Sequence, residues 1–376
     1  IVISSNLIDF EVSKDNVTFT QSVTYTAAEA AAGAELFVRF LPKSTTLRFE
    51  GKVTATSGDD FTMELGTLRG SSILKSTTLD IVTWNMEWFG ADKDRDGKEL
   101  GPADEELQYA NAKKVFADLD ADILALQEVS NDTEIQRLAG ELGYEYVVSS
   151  AYSYSWDASS TLTPQKLYFL YKPEVAKVKK EKVLLEKFYT DARVENKYAT
   201  DFAGYPEGAS KFWSSGRLPY MVEFETTVDN VKQDITLINL HTRANSGTNV
   251  DKHTQRKFDV EMLKDSLDAH YAGKNIIILG DYNDDVDVSV VNNLPSTFKA
   301  FVDDANYNSL TYNLSLTDAY TYASGSYQSF LDHIIVSSTL SDDYIAESIT
   351  IEEQFLNSIS NFRNTTSDHI PVSARF

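Results

Sequence analysis

Cysteine is absent from the 376-residue chain, which excludes disulfides, a zinc–thiolate centre and a thiol nucleophile. Long apolar runs are missing as well: none approaches the roughly 20 residues that a membrane-spanning helix needs. Positive charge is in short supply, with 34 Lys and Arg against 57 Asp and Glu for a formal net charge of −23. A broad basic surface of the kind that grips nucleic acid without regard to sequence is therefore lacking over the chain as a whole. Internal repeats and low-complexity tracts are also absent. The first residue is Ile rather than Met, so we expect the natural chain to start earlier, with any export signal outside these residues. What is present is 42% hydrophobic and 12% aromatic content, enough to build the cores of one large or two smaller soluble domains.

The first 74 residues differ from the rest. Short alternating runs such as "VTFTQSVTYT", "AELFVRFLP", "LRFEGKVTATS" and "DFTMELGTL" are separated by turn-rich pieces, the pattern of a small β-sandwich. These runs resemble the later strands of immunoglobulin-like domains of bacterial surface and secreted proteins, with the opening strands missing. "RGSSILKSTT", residues 69–78, reads as connecting chain, with residues 75–78 as the linker proper. From residue 79 onward apolar strands alternate with amphipathic helices. "EELQYANAKKVFADL" is expected to bury Leu107, Ala112, Val115, Phe116 and Leu119, and "TEIQRLAGEL" to bury Ile135, Leu138 and Leu142. "ADILALQEV", "KLYFLYK", "DITLINLH", "NIIILGDYN" and "LDHIIVS" read as strands, which predicts an α/β fold of two sheets packed face to face with helices outside.

The strand "LDIVTWNMEWFG", residues 79–90, ends in a way that a buried strand avoids. Strict alternation places Leu79, Ile81, Thr83, Asn85 and Glu87 on one face, and Val82, Trp84, Met86 and Trp88 on the other. One face thus closes on an amide and a carboxylate. Taken alone this reads as a strand reaching solvent, but other strands end similarly. Gln127 and Glu128 close "ADILALQEV", His241 closes "ITLINLH", and Asp281 and Asn283 close "NIIILGDYND". Asp332 and His333 stand in "FLDHIIV", and Asp368 and His369 in "SDHIPV". Six polar strand ends in one α/β unit predict a shared rim. Carboxylate and amide oxygens without sulfur form a hard donor set that suits Mg²⁺ or Mn²⁺. Histidines beside carboxylates suit proton transfer or the stabilisation of developing negative charge. Together they describe hydrolysis of a phosphate ester by positioned water.

"WNMEWFG", "LALQEV", "NLH", "GDYND", "LDHIIVS" and "TSDHIPV", in this order over residues 79–376, resemble the endonuclease/exonuclease/phosphatase superfamily of pancreatic deoxyribonuclease and the apurinic-site endonucleases. The resemblance implies a deoxyribonuclease-I-like fold, a four-layer sandwich of two packed mixed sheets flanked by helices. It implies that Glu128 is the principal metal ligand, with Glu87, Asn85 and Asp368 around the same Mg²⁺ or Mn²⁺. It further implies that Asp281 orients or deprotonates the attacking water and that Asn283 holds that water or a phosphate oxygen. His369, paired with Asp332, would stabilise the transition state, and His241 would assist the leaving group. Arg217 in "SSGRLPYMVEF" resembles an Arg-x-Pro placed near the substrate phosphate, against a plain surface arginine.

Other segments admit plainer explanations. "DKDRDGKELGPA", residues 92–103, opens with the Asp92, Asp94, Asp96, Gly97 pattern of a calcium loop, but its twelfth position is Ala103, and a solvated acidic loop accounts for it. The lysines of residues 172–182 are interrupted by Glu174 and Glu181 and fit an exposed strand. The aromatic-rich segment 187–216 either caps the core or offers rings to a base, sugar or lipid headgroup. His253 and His270 are expected on the surface of a helix over 251–271. The expectation is a monomeric, metal-dependent phosphodiesterase, foremost a secreted, surface or periplasmic nuclease acting on DNA or RNA. The alternatives are a phosphatase on sugar, inositol or lipid phosphates, and a non-catalytic surface binding module.

Overall fold

Two six-stranded sheets dominate the computed structural model, which describes residues 1–58 and 60–376. The chain divides into two compact units, Ile1–Thr77 and Thr78–Phe376. In the larger unit, the first sheet runs Thr350–Ile351, Val372–Arg375, Asp80–Phe89, Ile123–Val129, Lys166–Tyr171, Glu145–Val148. The second runs Ala176–Val183, Tyr220–Val228, Val231–His241, Ile276–Asp281, Asp332–Ser337, Tyr307–Ser309. Each sheet is mixed, with one parallel pair among antiparallel neighbours: Asp80–Phe89 beside Ile123–Val129, and Val231–His241 beside Ile276–Asp281.

The alternation in each strand sorts its side chains into layers. Ile81, Ile123, Ala125 and Phe169 of the first sheet meet Val222, Phe224, Leu237, Ile277 and Ile334 of the second in the central core. Val82, Trp84, Leu124 and Leu126 face outward under the helices Glu105–Leu119 and Asp132–Leu142. Ile238, Leu240, Ile276 and Ile278 pack under the helix Val250–His270. Each fully buried aliphatic or aromatic side chain contributes about 1.5–3 kcal/mol, so these three layers set the strand positions on which the site depends. Asn239, buried between the sheets, ties them together: it donates to the carbonyls of Leu126 and Tyr168 at 3.0 Å and accepts from Gln127 at 2.8 Å.

Several expectations are corrected. Leu107 is exposed and Tyr109 takes its place in the buried stripe, because the stripe through Ala112, Val115 and Phe116 passes residues 108 and 109 rather than 107. His253 is buried, with its Nε2 2.9 Å from the carbonyl of Pro295, whereas His270 is exposed. The segment 187–216 opens with a helix, Glu186–Glu195, and Tyr189, Phe202, Tyr205, Phe212 and Trp213 are buried in the layer outside the second sheet, so most of its rings cap the core.

The smaller unit holds two antiparallel sheets. One runs Ser22–Thr24, Val2–Ser5, Phe49–Ser57, Phe61–Gly70, and the other pairs Phe10–Ser13 with Phe37–Phe40. A five-residue helix, Ala27–Ala31, is closed by a capping box between Thr26 and Glu29. Arg69 and Gly70, expected as connecting chain, belong to a strand because the hairpin register with Glu50 and Phe49 continues to them. The connection ends in a 3₁₀ turn, Lys75–Thr77.

Candidate active site

Both parallel pairs end on the same side, and their C-terminal ends carry the polar residues, the usual place for a site in an α/β sheet. Asn85 pairs with Gln127 and Phe89 with Val129, so the three residues 86–88 bulge opposite Glu128. Glu87, Trp88 and Glu128 have φ of 46°, 53° and 56°, a conformation that costs non-glycine residues about 1–2 kcal/mol each. Gln108 holds the bulge, donating to the carbonyls of Met86 and Glu87 at 3.0 Å and of Thr366 at 3.1 Å. The bulge breaks the expected alternation. Trp84 is fully buried under the helices, but Trp88 turns with Glu87 to the cavity instead of backing it.

On the second sheet His241 is level with Asp281, and Asp281 with Asp332. Asp281 accepts from Asn85 Nδ2 at 2.9 Å and from the Asn283 backbone N–H at 2.8 Å. Asn283, with φ 49°, donates its amide to the carbonyl of Thr242. Gly280 allows this crowding: a Cβ there would lie 2.0 Å from the carbonyl oxygen of Leu240. From the turn before Val372–Arg375, Ser367 Oγ donates to the Asn85 carbonyl and accepts from His369 N–H, while Trp84 of the first sheet donates to the His369 carbonyl at 3.0 Å. His369 Nδ1 donates to Asp332 Oδ2 at 2.7 Å, and the Tyr322 ring lies 4.9 Å from the imidazole.

The result is a cavity of about 780 Å³ whose wall includes Glu87, Glu128, His241, Asp281, Asn283, Asp368 and His369. Seven of the ten sequence-predicted residues thus meet in one place, with Asp332 directly behind His369. A family profile for the endonuclease/exonuclease/phosphatase family matches residues 82–369. The chain belongs to the endonuclease/exonuclease/phosphatase family.

No curated protein matches the sequence. Among solved structures, an endonuclease/exonuclease/phosphatase from Bacteroides vulgatus is similar over 80% of this chain and 98% of its own, with 13% identity and a TM-score of 0.51. A humanised D. rerio TDP2 is similar over 80% and 99%, with 13% identity and a TM-score of 0.49. The 3′ phosphatase NExo from Neisseria is similar over 79% and 99%, with 16% identity and a TM-score of 0.48. Membership of the family makes the chain a hydrolase of phosphoester bonds, with the deoxyribonuclease-I-like fold.

Two predicted residues of this endonuclease/exonuclease/phosphatase member stand elsewhere than expected. Arg217 is buried outside the cavity, donating to the carbonyls of His241 and Thr242 at 2.9 Å and to Gln165 Oε1 at 2.5 Å. All three nitrogens are thereby engaged with the protein, and Arg217 braces the His241 turn from outside the cavity. Asn85 has both ends of its amide occupied, Nδ2 on Asp281 and Oδ1 by the Glu87 N–H at 3.0 Å. It lies beneath the wall, where its amide fixes Asp281 and the Glu87 backbone; ligation of the metal, expected of it, would use the second lone pair of Oδ1.

Burial and mutual repulsion dominate the electrostatics. Burial, then the Asp368 charge, raises Glu87 to about 8, and burial raises Asp281 to about 7 and Asp368 to about 6. The two histidines diverge. Burial, followed by the Arg217 and His369 cations, holds His241 well below the usual histidine range. Burial also opposes the His369 cation, but Asp332 and Asp281 outweigh it and raise His369 well above that range.

Burial, with repulsion between neighbouring carboxylates second, raises Glu87 and Asp368, a state that a divalent cation would relieve, and Glu87, Asp368 and the adjoining Glu128 fit one in charge and hardness. Among the described residues, only Asp92, Glu99 and Glu105 place three such donor atoms within 4.8 Å of one another. The cavity set is more open, as suits an ion that keeps several waters. The exposed trio has Lys93 Nζ 3.2 Å from Glu99 and 3.6 Å from Asp92. The calcium-loop pattern does not gather into a cage: Asp94 Oδ1 accepts from the Asp96 and Lys98 N–H groups, and Asp96 faces Arg95. Gln108, Ser367 and Tyr322 carry no sequence signal for their roles, since each is defined by partners far along the chain.

Proposed function

We propose that the Thr78–Phe376 unit hydrolyses phosphodiesters with the aid of Mg²⁺ or Mn²⁺, and that its natural substrate is a nucleic acid. The observation that supports this best is the pairing of opposite histidine states over one ring of carboxylates. Glu128, Glu87 and Asp368 would hold the ion, which supplies charge neutralisation of the phosphoryl oxygens. Asp281, raised to about 7, matches the working pH of a general base and is fixed by Asn85 and Asn283 to take a proton from water. His369, kept cationic by Asp332, presents Nε2 to the cavity 3.8 Å from Asp281 and 3.9 Å from Asp368, a donor aimed at charge that grows in the transition state. His241, neutral, has Nε2 3.5 Å from both Glu128 and Asp281, where an N–H can reach the leaving oxygen. A monoesterase activity on a small phosphorylated molecule is the second reading, supported by the net charge of −23, which disfavours a long polyanionic contact.

The test is hydrolysis of bis-p-nitrophenyl phosphate, p-nitrophenyl phosphate and plasmid DNA with Mg²⁺ or Mn²⁺ and with excess chelator. Diester and DNA cleavage that stops with chelator is the expected result. Exclusive monoesterase activity replaces the nuclease reading, and chelator-resistant activity overturns the role given to the carboxylates.

A further inference from the structure

A second recess of about 440 Å³ adjoins the catalytic cavity, the two sharing Trp88, Leu100 and Ala244 in their walls. Its chemistry is unlike the rest of this acidic protein. Arg217 and Arg243 line it together with Ser153, Tyr154, Ser214 and Gln165, and Lys211 Nζ reaches its wall at the Tyr154 hydroxyl, 2.7 Å away. Among the described residues, none of these three cations has a carboxylate within ion-pair distance. Arg217 and Arg243 donate to neutral acceptors, Arg243 to the Lys211 carbonyl. By contrast, Arg256, buried like Arg217, has Asp284 3.3 Å away. The acidic members of the wall are diverted, Asp94 to two backbone N–H groups and Asp96 to Arg95.

The recess also holds unsatisfied donors. Arg243 Nε and Ser214 Oγ are buried without a hydrogen-bond partner, and Ser214 is 8% exposed. Buried polar groups normally find partners, and each one left without costs about 1–3 kcal/mol. The segment that presents Ser214 is strained: Trp213, Ser214 and Ser215 have φ of 43°, 51° and 66°. It is held there by Ser153 Oγ on the Ser214 carbonyl at 2.7 Å, by the Tyr154 N–H on the Ser215 carbonyl at 2.9 Å and by Trp156 Nε1 on the same carbonyl at 3.1 Å. Arg243 is fixed through its carbonyl, which accepts from Arg256 at 2.9 Å. Cations that feel Asp259, Glu207, Glu128 and Asp281 only at a distance and form no ion pair with them, together with unsatisfied donors and a rigid wall, describe an anion site built in advance.

We infer that this recess binds a phosphate group of the substrate other than the one hydrolysed, with Arg243 and Ser214 as its direct donors. The inference rests on the phosphoesterase reading of the neighbouring cavity, because a substrate spanning both must carry two phosphates. They belong either to successive nucleotides or to one polyphosphorylated small molecule.

Two measurements test it. The first is calorimetric titration of the full chain with inorganic phosphate in excess chelator, where phosphate held in the recess is told from phosphate held at His369 of the catalytic cavity by its dependence on Arg243. Wild type should bind one phosphate, Arg243→Ala should bind it about 10- to 100-fold more weakly, and Arg243→Lys should fall between. No binding by wild type, or equal binding by Arg243→Ala, overturns the proposal. Tyr154→Phe, which removes the hydroxyl that holds Lys211, gives a second variant whose fold does not depend on Arg243, and it too should weaken phosphate binding. The second measurement compares two substrate pairs: thymidine 5′-(p-nitrophenyl phosphate) with and without a 3′-phosphate, and an inositol bisphosphate against a monophosphate. A preference for the doubly phosphorylated member that Arg243→Ala abolishes identifies the source, nucleotide or small molecule, according to the pair in which it occurs. Equal losses on both members of each pair overturn the proposal. If wild type hydrolyses none of these compounds, the phosphoesterase reading has failed, and the phosphate titration still decides whether the recess is an anion site.

Discussion

Two histidines reach the cavity, His241 from the end of its strand and His369 from the segment before Val372–Arg375, and the two are held in opposite charge states. At the His369 end the group behind the ring is a buried carboxylate, Asp332, 2.7 Å from Nδ1. At the His241 end the group behind is Arg217, whose guanidinium grips the histidine's own carbonyl, and Nδ1 has no partner. Both rings are buried, so desolvation disfavours the cation in both. At His369 the carboxylates Asp332 and Asp281 outweigh desolvation and favour the cation, whereas at His241 desolvation prevails, followed by the Arg217 cation, although Glu128 and Asp281 lie 3.5 Å from its Nε2.

The most damaging change to this contrast is removal of the cation. His369→Ala should lower kcat on a diester by roughly 10³-fold with little change in the affinity for Mg²⁺, because a transition-state donor is lost and no ligand is. A steady-state assay with metal titration checks this, and undiminished turnover would refute the assignment. Asp332→Asn keeps the imidazole but removes its counter-charge, for an expected loss of about 10²-fold. Its pH profile is the sharper readout. With His369 raised above the usual histidine range, the wild-type cation persists as pH climbs, and activity falls only on the alkaline side of that range. In Asp332→Asn the cation is lost at lower pH, so the alkaline limb should move toward neutrality; an unmoved limb would show that another group sets it.

Arg217→Lys addresses the other end. A lysine retains the charge but cannot reach three acceptors with a planar fork, so the His241 turn loosens. We expect about a tenfold loss in kcat and a destabilisation of about 1–3 kcal/mol, read as a lowered Tm. Were Arg217 instead a phosphate contact, KM would rise and Tm would stay. The smallest effect belongs to deletion of residues 1–77: activity on small diesters should be unchanged, since every residue of the cavity lies beyond Thr78. A folded but inactive shortened chain would show that the smaller unit contributes to the site.

Much of this was legible in the chain. The strand ends stood out because carboxylates, amides and histidines interrupt apolar runs that period-2 alternation otherwise explains, and the helices because their apolar residues recur at turn spacing. The errors share a cause. Trp88 was placed behind the strand because alternation assumes an unbroken ladder, and the bulge at residues 86–88 depends on Gln108, some twenty positions away. Arg217 was placed near the substrate phosphate, yet its acceptors come from residues 165, 241 and 242. His253 is buried by Pro295, which helical spacing alone does not reveal.

By itself, then, the sequence determined the donor chemistry: hard oxygen and imidazole without sulfur, at the ends of strands that its alternation pattern had to form. Tertiary structure alone decided which histidine carries charge, which arginine is a brace, and where three unpaired cations gather beside the cavity. The physical reason is that burial and Coulomb fields act through space, so the state of each group is set by neighbours that only the folded chain brings within a few ångströms.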